Sequence, residues 1–508
     1  MTSSSAEAAW AGLVRAALLG TDRADPGTDT GAAADPLLRA IFAGLAGLAP
    51  EARLLGAAAA LAQYRRVGDL GGIASDPAPE PAAAETSRRC PERAGVHLRL
   101  MLDGVHREAL PEWLQRLVEK GFTVAPEDLP GLLDACRYQS LPNELIVAAA
   151  GARGRWLAAL NLAWRSAVLL PDDDTAWDTG TTEARVAVLR RLRATRPAAG
   201  LERLRSTWAT ESAPQRALFL PILELGLTMA DEPFLEEALD DRRKEVRSIA
   251  AGLLARLPAS RLVGRMTERV RPLVRIPPHG GGKLARVFGR TKVEVDLPVT
   301  CDNGMVRDGI EPKPPRGTGE RAWWLAQMVA AVPPSLWTQQ AGLSPEECIA
   351  AAARTDWREL LIRAWSIGAA RTNDADWAEA LLAAWAAGEH GVEPGPLASA
   401  LPPERLERVV SELIEAADGE VTAGEPGLLL AAEARHAWSP ALTHSVMRRL
   451  VQLPPTTDYA LRALLANVAR RMHAATAVAS VDGLGERARG AWVDLLHHRH
   501  AMLEALEK

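Results

Sequence analysis

Apolar residues recur along this chain at helical spacing, and between Thr182 and Val270 the helical pattern itself returns every 31 residues. Leu192, Leu223 and Leu254 keep this step, as do Leu204, Leu235 and Met266, and then Trp208, Leu239 and Val270. Arg185, Arg216 and Arg247 mark the same point of each copy. An apolar stripe that one copy cannot bury alone, repeated at a fixed period, predicts helical hairpins that stack on one another. The expected fold is all-α, an α-solenoid of HEAT-like helical hairpins. The repeat arginines are expected to cross-link neighbouring hairpins through acidic side chains or helix-end carbonyls of the next copy.

The pattern changes on either side of these repeats (residues 181–275). Residues 1–67 read as N-terminal helices, the first from Ala6 to a stop at Gly20 and two more Ala-rich ones across Pro36–Val67. Residues 68–95 are Pro/Ala-rich without periodicity and read as a linker. Residues 96–180 predict short helices punctuated by Pro126, Pro130 and Pro142. They end in Trp156, Leu160 and Trp164 on one face, with the tryptophans expected to pack against the repeats.

Residues 276–320 break the regularity with an inserted β-hairpin and loop region. There TKVEVDLPV places Val293, Val295 and Leu297 on one strand face. Asp302-Asn303-Gly304 supplies turn chemistry beside it, and this is the only strand pair the sequence predicts. Residues 321–508 read as a second helical array, in which D-W-x-E-x-L-x-x-A-W occurs twice. Asp356 and Asp376 are expected as N-caps with Glu359 and Glu379 at the capping-box position. Trp357, Trp365, Trp377 and Trp385 are expected to form a packing seam.

Composition agrees with a packed helical protein: 48% of residues are hydrophobic, enough for a sizeable core. Of the 59 basic residues only six are lysine, a bias typical of GC-rich coding that says little about arginine-specific chemistry. Cys90, Cys136, Cys301 and Cys348 have neither zinc-knuckle nor redox spacing, so free thiols are expected. Nothing approaches the roughly 20 apolar residues of a membrane span. A cytoplasmic protein with no membrane segment is the expectation.

Charge is the strongest signal besides packing. The whole chain carries −5, yet residues 242–292 hold fourteen Lys and Arg against Glu245 and Glu268. Such a block could attract nucleic acid or an acidic partner, with Arg261, Arg265, Arg269, Arg271, Arg275, Lys283, Arg286, Arg290 and Lys292 as the candidate contacts. It could equally be a solvated face that complements the chain's own acidic helices.

The remaining motifs are weaker. HGGGK (279–283) fails the phosphate-loop pattern, with Pro277 where the first glycine belongs and Leu284 in place of Ser/Thr, and reads as a hinge. Gly317–Ala322 matches a relaxed GxGxxA without the preceding strand, so its glycines are expected to enter a helix. Asp172–Asp174 reads as a helix-capping loop, and His497, His498 and His500 as part of a solvated terminal helix. These readings assign no catalytic residue, metal ligand or cofactor.

Four phrases carry a resemblance: WAGLVRAALLGTDR, RGRWLAALN, DEPFLEEALDDRRKEVRSIAAGLLARLP and GERAWWLAQMVAAVPPSLW. Together they resemble a bacterial family of unknown function, the DUF family numbered fifty-six ninety-one, from Ala9 to at least Trp337 and more loosely to the C-terminus. One departure is Leu162 after Asn161, where relatives are expected to carry proline. The resemblance implies a genomic setting beside a SWIM zinc-finger protein, a MoxR-type AAA+ ATPase and a von Willebrand factor A-domain (VWA) protein. Two functions follow as expectations. The first is a non-enzymatic scaffold or adaptor for protein partners, in a MoxR/VWA-type assembly; the alternative is a nucleic-acid-binding protein using the 242–292 block. An enzyme acting through Ile276–Glu320 comes third.

Overall fold

The computed structural model describes residues 3–23, 36–68, 79–136, 141, 143–161, 163–164, 175–277, 292–487 and 490–507. They are mostly helical. Internal contacts divide the chain into Met1–Ala82 and Ala83–Lys508, a boundary inside the Pro/Ala-rich segment. In the first unit α3 (Pro50–Gly68) packs against both α1 (Ser3–Leu19) and α2 (Pro36–Leu45). Ala9, Leu13, Ala57 and Leu61 form its buried centre.

The second unit opens with α4 (Glu92–Leu102), α5 (Leu110–Glu119), α6 (Leu129–Ala135) and α7 (Asn143–Leu160), around Leu98, Met101, Trp113 and Leu117. Arg88–Arg89 pairs in parallel with Phe122–Thr123, a ladder with no sequence signal. Two residues are too few for a period of two to show. Trp164 does not pack on the repeats as expected. It joins a local cluster with Leu133, Ile146 and Ala158, and its indole donates to Asp134 at 2.7 Å.

Next come α8 (Thr175–Thr179), α9 (Thr182–Thr195), α10 (Pro197–Thr207), α11 (Ala213–Phe219), α12 (Glu232–Ala238), α13 (Lys244–Leu254) and α14 (Arg261–Val270). Helix α9 pairs with α10 and α12 with α13, while α9, α11 and α13 lie side by side. Leu192, Leu223, Leu254, Leu204, Leu235 and Met266 are all buried, so the 31-residue stripe is the core of this stretch. The arginines form a ladder. Arg185 pairs with Glu211, Arg216 with Asp241 at 2.8 Å, and both stack over aromatic rings, Trp177 and Trp208 among them. Arg216 also donates to the Glu211 carbonyl at 2.6 Å, and Arg247 to the carbonyls of Asp241 and Arg242 at 2.8 and 3.2 Å.

In the inserted region Val274–Arg275 pairs antiparallel with Glu294–Val295, opposing Val274 to Val295. Val293 is buried and Val295 and Leu297 half-buried, while Glu294 and Asp296 are exposed, the alternation expected of one strand face. Asp302 does not turn a hairpin. Its carboxylate accepts from the Met305 amide at 2.7 Å and caps α15 (Asn303–Arg307), because an Asp side chain satisfies a helix's free amides as readily as a turn's. Gly319 does enter a helix, as the N-cap residue of α16 (Glu320–Ala330).

The C-terminal helices are α17 (Ser335–Ala341), α18 (Pro345–Ala352), α19 (Arg358–Thr372), α20 (Ala375–Ala386), α21 (Pro394–Ala400), α22 (Pro403–Glu415), α23 (Pro426–Glu433), α24 (Pro440–Leu450), α25 (Tyr459–Ala469), α26 (Ala474–Val481) and α27 (Ala491–Glu507). Helices α19, α21, α23, α25 and α27 pack in succession, and so do α22, α24 and α26. The last helix then meets the first ones of this unit: α27 packs on α4 and α5. The expected caps are displaced. Thr355 accepts from the Trp357 amide, and Asp374, not Asp376, caps α20 through the Trp377 amide. Asp376 and Glu379 instead bind Arg405 at 2.8 and 2.6 Å. The tryptophan seam runs Trp337–Trp365–Trp377, with ring centroids 5.8 and 5.1 Å apart. Trp357 and Trp385 stay half-buried at its margin.

Candidate binding cleft

Between α13 and the C-terminal helices the chain leaves a cleft of about 860 Å³. Its walls are α13, α16 and α19, and residues 306–318 of the inserted region form the remaining side. The insert is fastened there by charge. Buried Asp308 accepts from Arg265 at 2.7 Å and Arg269 at 2.6 Å, while Arg307 reaches Asp240 at 2.6 Å. Gly309 sits against α13 with φ +89°, where a Cβ would stand 2.5 Å from that of Ala251. Only glycine permits both that backbone and that approach.

Trp323, Trp357, Leu360 and Ile367 supply the cleft's apolar surface, and Ile367 is 40% exposed. The Trp323 indole nitrogen is buried with no hydrogen-bond partner. Lys244 pairs with Glu311, and Arg363 with Glu359 at 2.8 Å. Arg247 and Arg371 also line the cleft, and neither has a carboxylate partner among the described residues. Arg371 donates to the Ala330 carbonyl at 3.2 Å. Burial, with Arg256 as a second cause, holds it below the usual arginine range.

The basic block disperses into internal pairs. Arg261, Arg265 and Arg269 are spaced four apart on α14: Arg261 binds Glu232 at 3.0 Å, Arg265 binds Glu236 at 3.0 Å as well as Asp308, and Arg269 shares Asp308. Arg275 binds Asp296 at 3.0 Å and Glu294 at 3.4 Å. Arg271 and Lys292 are exposed. Lys283, Arg286 and Arg290, the HGGGK segment and Asp172–Asp174 lie outside the described residues.

Two groups of chemistry-bearing side chains sit away from the cleft. All four cysteines are free, and burial pushes the Cys136 and Cys348 thiols up to about 11 and about 12, far from a reactive thiolate. His498 is not part of a solvated terminal helix. It lies half-buried against His97 and His106, with both ring centroids 5.1 Å away, because α27 is packed rather than free. Among the described residues no three His, Cys, Asp or Glu side chains are arranged to hold a metal ion. No described helix is long and apolar enough to cross a membrane.

A family described as a family of unknown function, DUF5691, matches residues 12–506. The chain belongs to DUF5691. No curated protein and no solved structure matches it. Sequence reasoning missed the cleft itself, since its walls come from segments over 100 residues apart (Arg247 to Arg371) and no local pattern links them. The one local signal was the third repeat arginine without a following acid: the position 31 beyond Asp241 is Pro272.

Proposed function

We propose that this DUF5691 member is a non-enzymatic cytoplasmic scaffold, an α-solenoid of HEAT-like hairpins that holds an extended segment of a protein partner in the α13–α16–α19 cleft. The carrying observation is the cleft: about 860 Å³, apolar along Trp323, Trp357, Leu360 and Ile367, with few polar groups left to fix an occupant. Support for the repeat architecture is the buried 31-residue stripe and the succession of helices packed two steps apart in the chain. A MoxR-type ATPase or a VWA protein is the proposed class of partner, from the resemblance alone.

The nucleic-acid alternative draws less support. Arg261, Arg265, Arg269 and Arg275 are engaged by the chain's own carboxylates, and a phosphate would have to displace them. Affinity purification of the tagged chain from its own cells, with nuclease and with Ile367→Glu in parallel, tests the reading. A protein that survives nuclease and is lost with Ile367→Glu is expected. Co-purification that ignores Ile367→Glu, or disappears with nuclease, overturns it.

A further inference from the structure

We propose that the cleft selects an acidic segment of its protein partner, whose carboxylate completes the arginine ladder at Arg247. This rests on the scaffold reading above and adds the chemistry of the occupant. In the first two copies the repeat arginine has a carboxylate from the loop that opens the next copy: Glu211 for Arg185 and Asp241 for Arg216. Arg247 stands at the same point of the third copy, yet it holds only the two carbonyls of Asp241 and Arg242 through one guanidinium nitrogen. The positions that follow it in register are Pro272 and Leu273, which have no acid to give. Among the described residues the ladder thus ends with an unmatched cation, and that cation lines the cleft.

A second cation does the same. Arg371 offers five N–H donors, and the Ala330 carbonyl accepts from one of them, while Arg256, the charged neighbour that also lowers it, is itself paired with Glu224 at 2.9 Å. Burial disfavours its charge, and an anion entering the cleft would relieve that cost. The other charges cancel locally: Lys244 with Glu311, Arg363 with Glu359, and Asp308 with Arg265 and Arg269. Of the acids that line the cleft, only the exposed Asp356 has no cation partner among the described residues. Among the described residues, two guanidinium groups without a carboxylate, against one exposed acid, set the sign of the preferred occupant.

The rest of the lining defines its form. Trp323, Trp357 and Ile367 ask for large apolar side chains beside the acid. Glu or Asp next to Leu, Phe or Met in an extended segment meets both demands. Arginine suits this role because its planar fork binds a carboxylate with two parallel hydrogen bonds.

The test is a random dodecapeptide library displayed on phage and selected on the full chain. The best hit is then titrated as a synthetic peptide beside its Glu→Gln and Asp→Asn counterpart. Enriched peptides should carry an acid next to a large apolar residue, and the amide counterpart should bind at least about tenfold more weakly, the worth of one charge-assisted pair. Arg247→Gln and Arg371→Gln, checked for folding by their melting curves, should each weaken the acidic peptide and leave the amide peptide unchanged. Enrichment without acids, or an acid that neither variant affects, overturns the inference; if binding is still lost with Ile367→Glu, the scaffold reading stands. No Ile367→Glu-sensitive binding of any peptide or protein sinks both.

Discussion

At the residue scale the strongest ties are buried arginines that reach helix-end carbonyls. Arg193 is 1% exposed, and its guanidinium is fully engaged: Asp231 takes two bonds at 2.8 and 3.1 Å, and the carbonyls of Pro197, Leu223, Leu225 and Gly226 accept at 2.8–3.1 Å. Gly226 keeps φ +62° beneath it, where a Cβ would stand 2.7 Å from Pro197. Removing one partner of a buried pair strands the other charge without water, so Arg193→Ala should cost about 3–5 kcal/mol. The exposed Arg448–Glu415 pair, at 3.7 Å, is the control. Arg448→Ala should stay within about 0.5 kcal/mol, since screening and side-chain entropy leave surface pairs little net worth. Urea unfolding of the two variants measures the contrast; equal losses would show that burial does not set the value of these arginines.

At the element scale one buried carboxylate stands at the centre of the contacts that hold the insert. Asp308 is 3% exposed and faces Arg265, Arg269 and Arg307. Asp308→Asn keeps the shape but leaves three guanidinium groups without that anion, and the segment around α15 should loosen from α14. Limited proteolysis should then cut within residues 296–318 at least several times faster than in the parent, with the rest of the chain intact. An unchanged cleavage pattern would mean that Arg307–Asp240 and the Gly309 contact suffice. This anchor explains what the sequence could and could not say. The apolar stripe was legible because Leu192, Leu223 and Leu254 repeat within one packed stretch. The basic block was legible as charge but not as structure. Its partners Glu232 and Glu236 stand before residues 242–292, and Glu294, Asp296 and Asp308 stand after them, so a count of charge between fixed limits could not pair them. The start of α20 shows a related reason: the two D-W phrases are alike, but Asp374 just upstream takes the Trp377 amide, while Thr355 before the other phrase accepts from Trp357 and α19 has no side-chain cap.

At the scale of the whole molecule, the second unit depends on a contact between residues 387 positions apart. Arg499, 2% exposed, binds Glu112 at 2.6 Å, and Glu507 binds both Arg116 and Lys120. No sequence period could place α27 on α4 and α5. Two histidines at this junction, His498 and His97, make it sensitive to acid. Burial first, then His97 and His106, hold His498 down at about 4, and burial also lowers His97. Glu108 is the acidic group that partly opposes this, and Glu112 is taken by Arg499. A histidine whose folded value lies below its unfolded value of roughly 6.5 favours the folded state while neutral; that contribution is lost as pH falls from about 6.5 towards about 4. Because these rings are only half-buried, the loss should be on the order of 1–2 kcal/mol. The carboxylates of Glu211, Glu232 and Glu507 lie below their ordinary range and so act at lower pH, while burial pushes Asp374 up, which works against the histidine loss as pH falls. Melting curves should be flat from about pH 8 to 7 and fall by a few degrees by about pH 5, and His498→Gln should remove most of that fall. If His498→Gln melts with the parent's pH dependence, the junction does not titrate, and the acid sensitivity of this unit lies elsewhere.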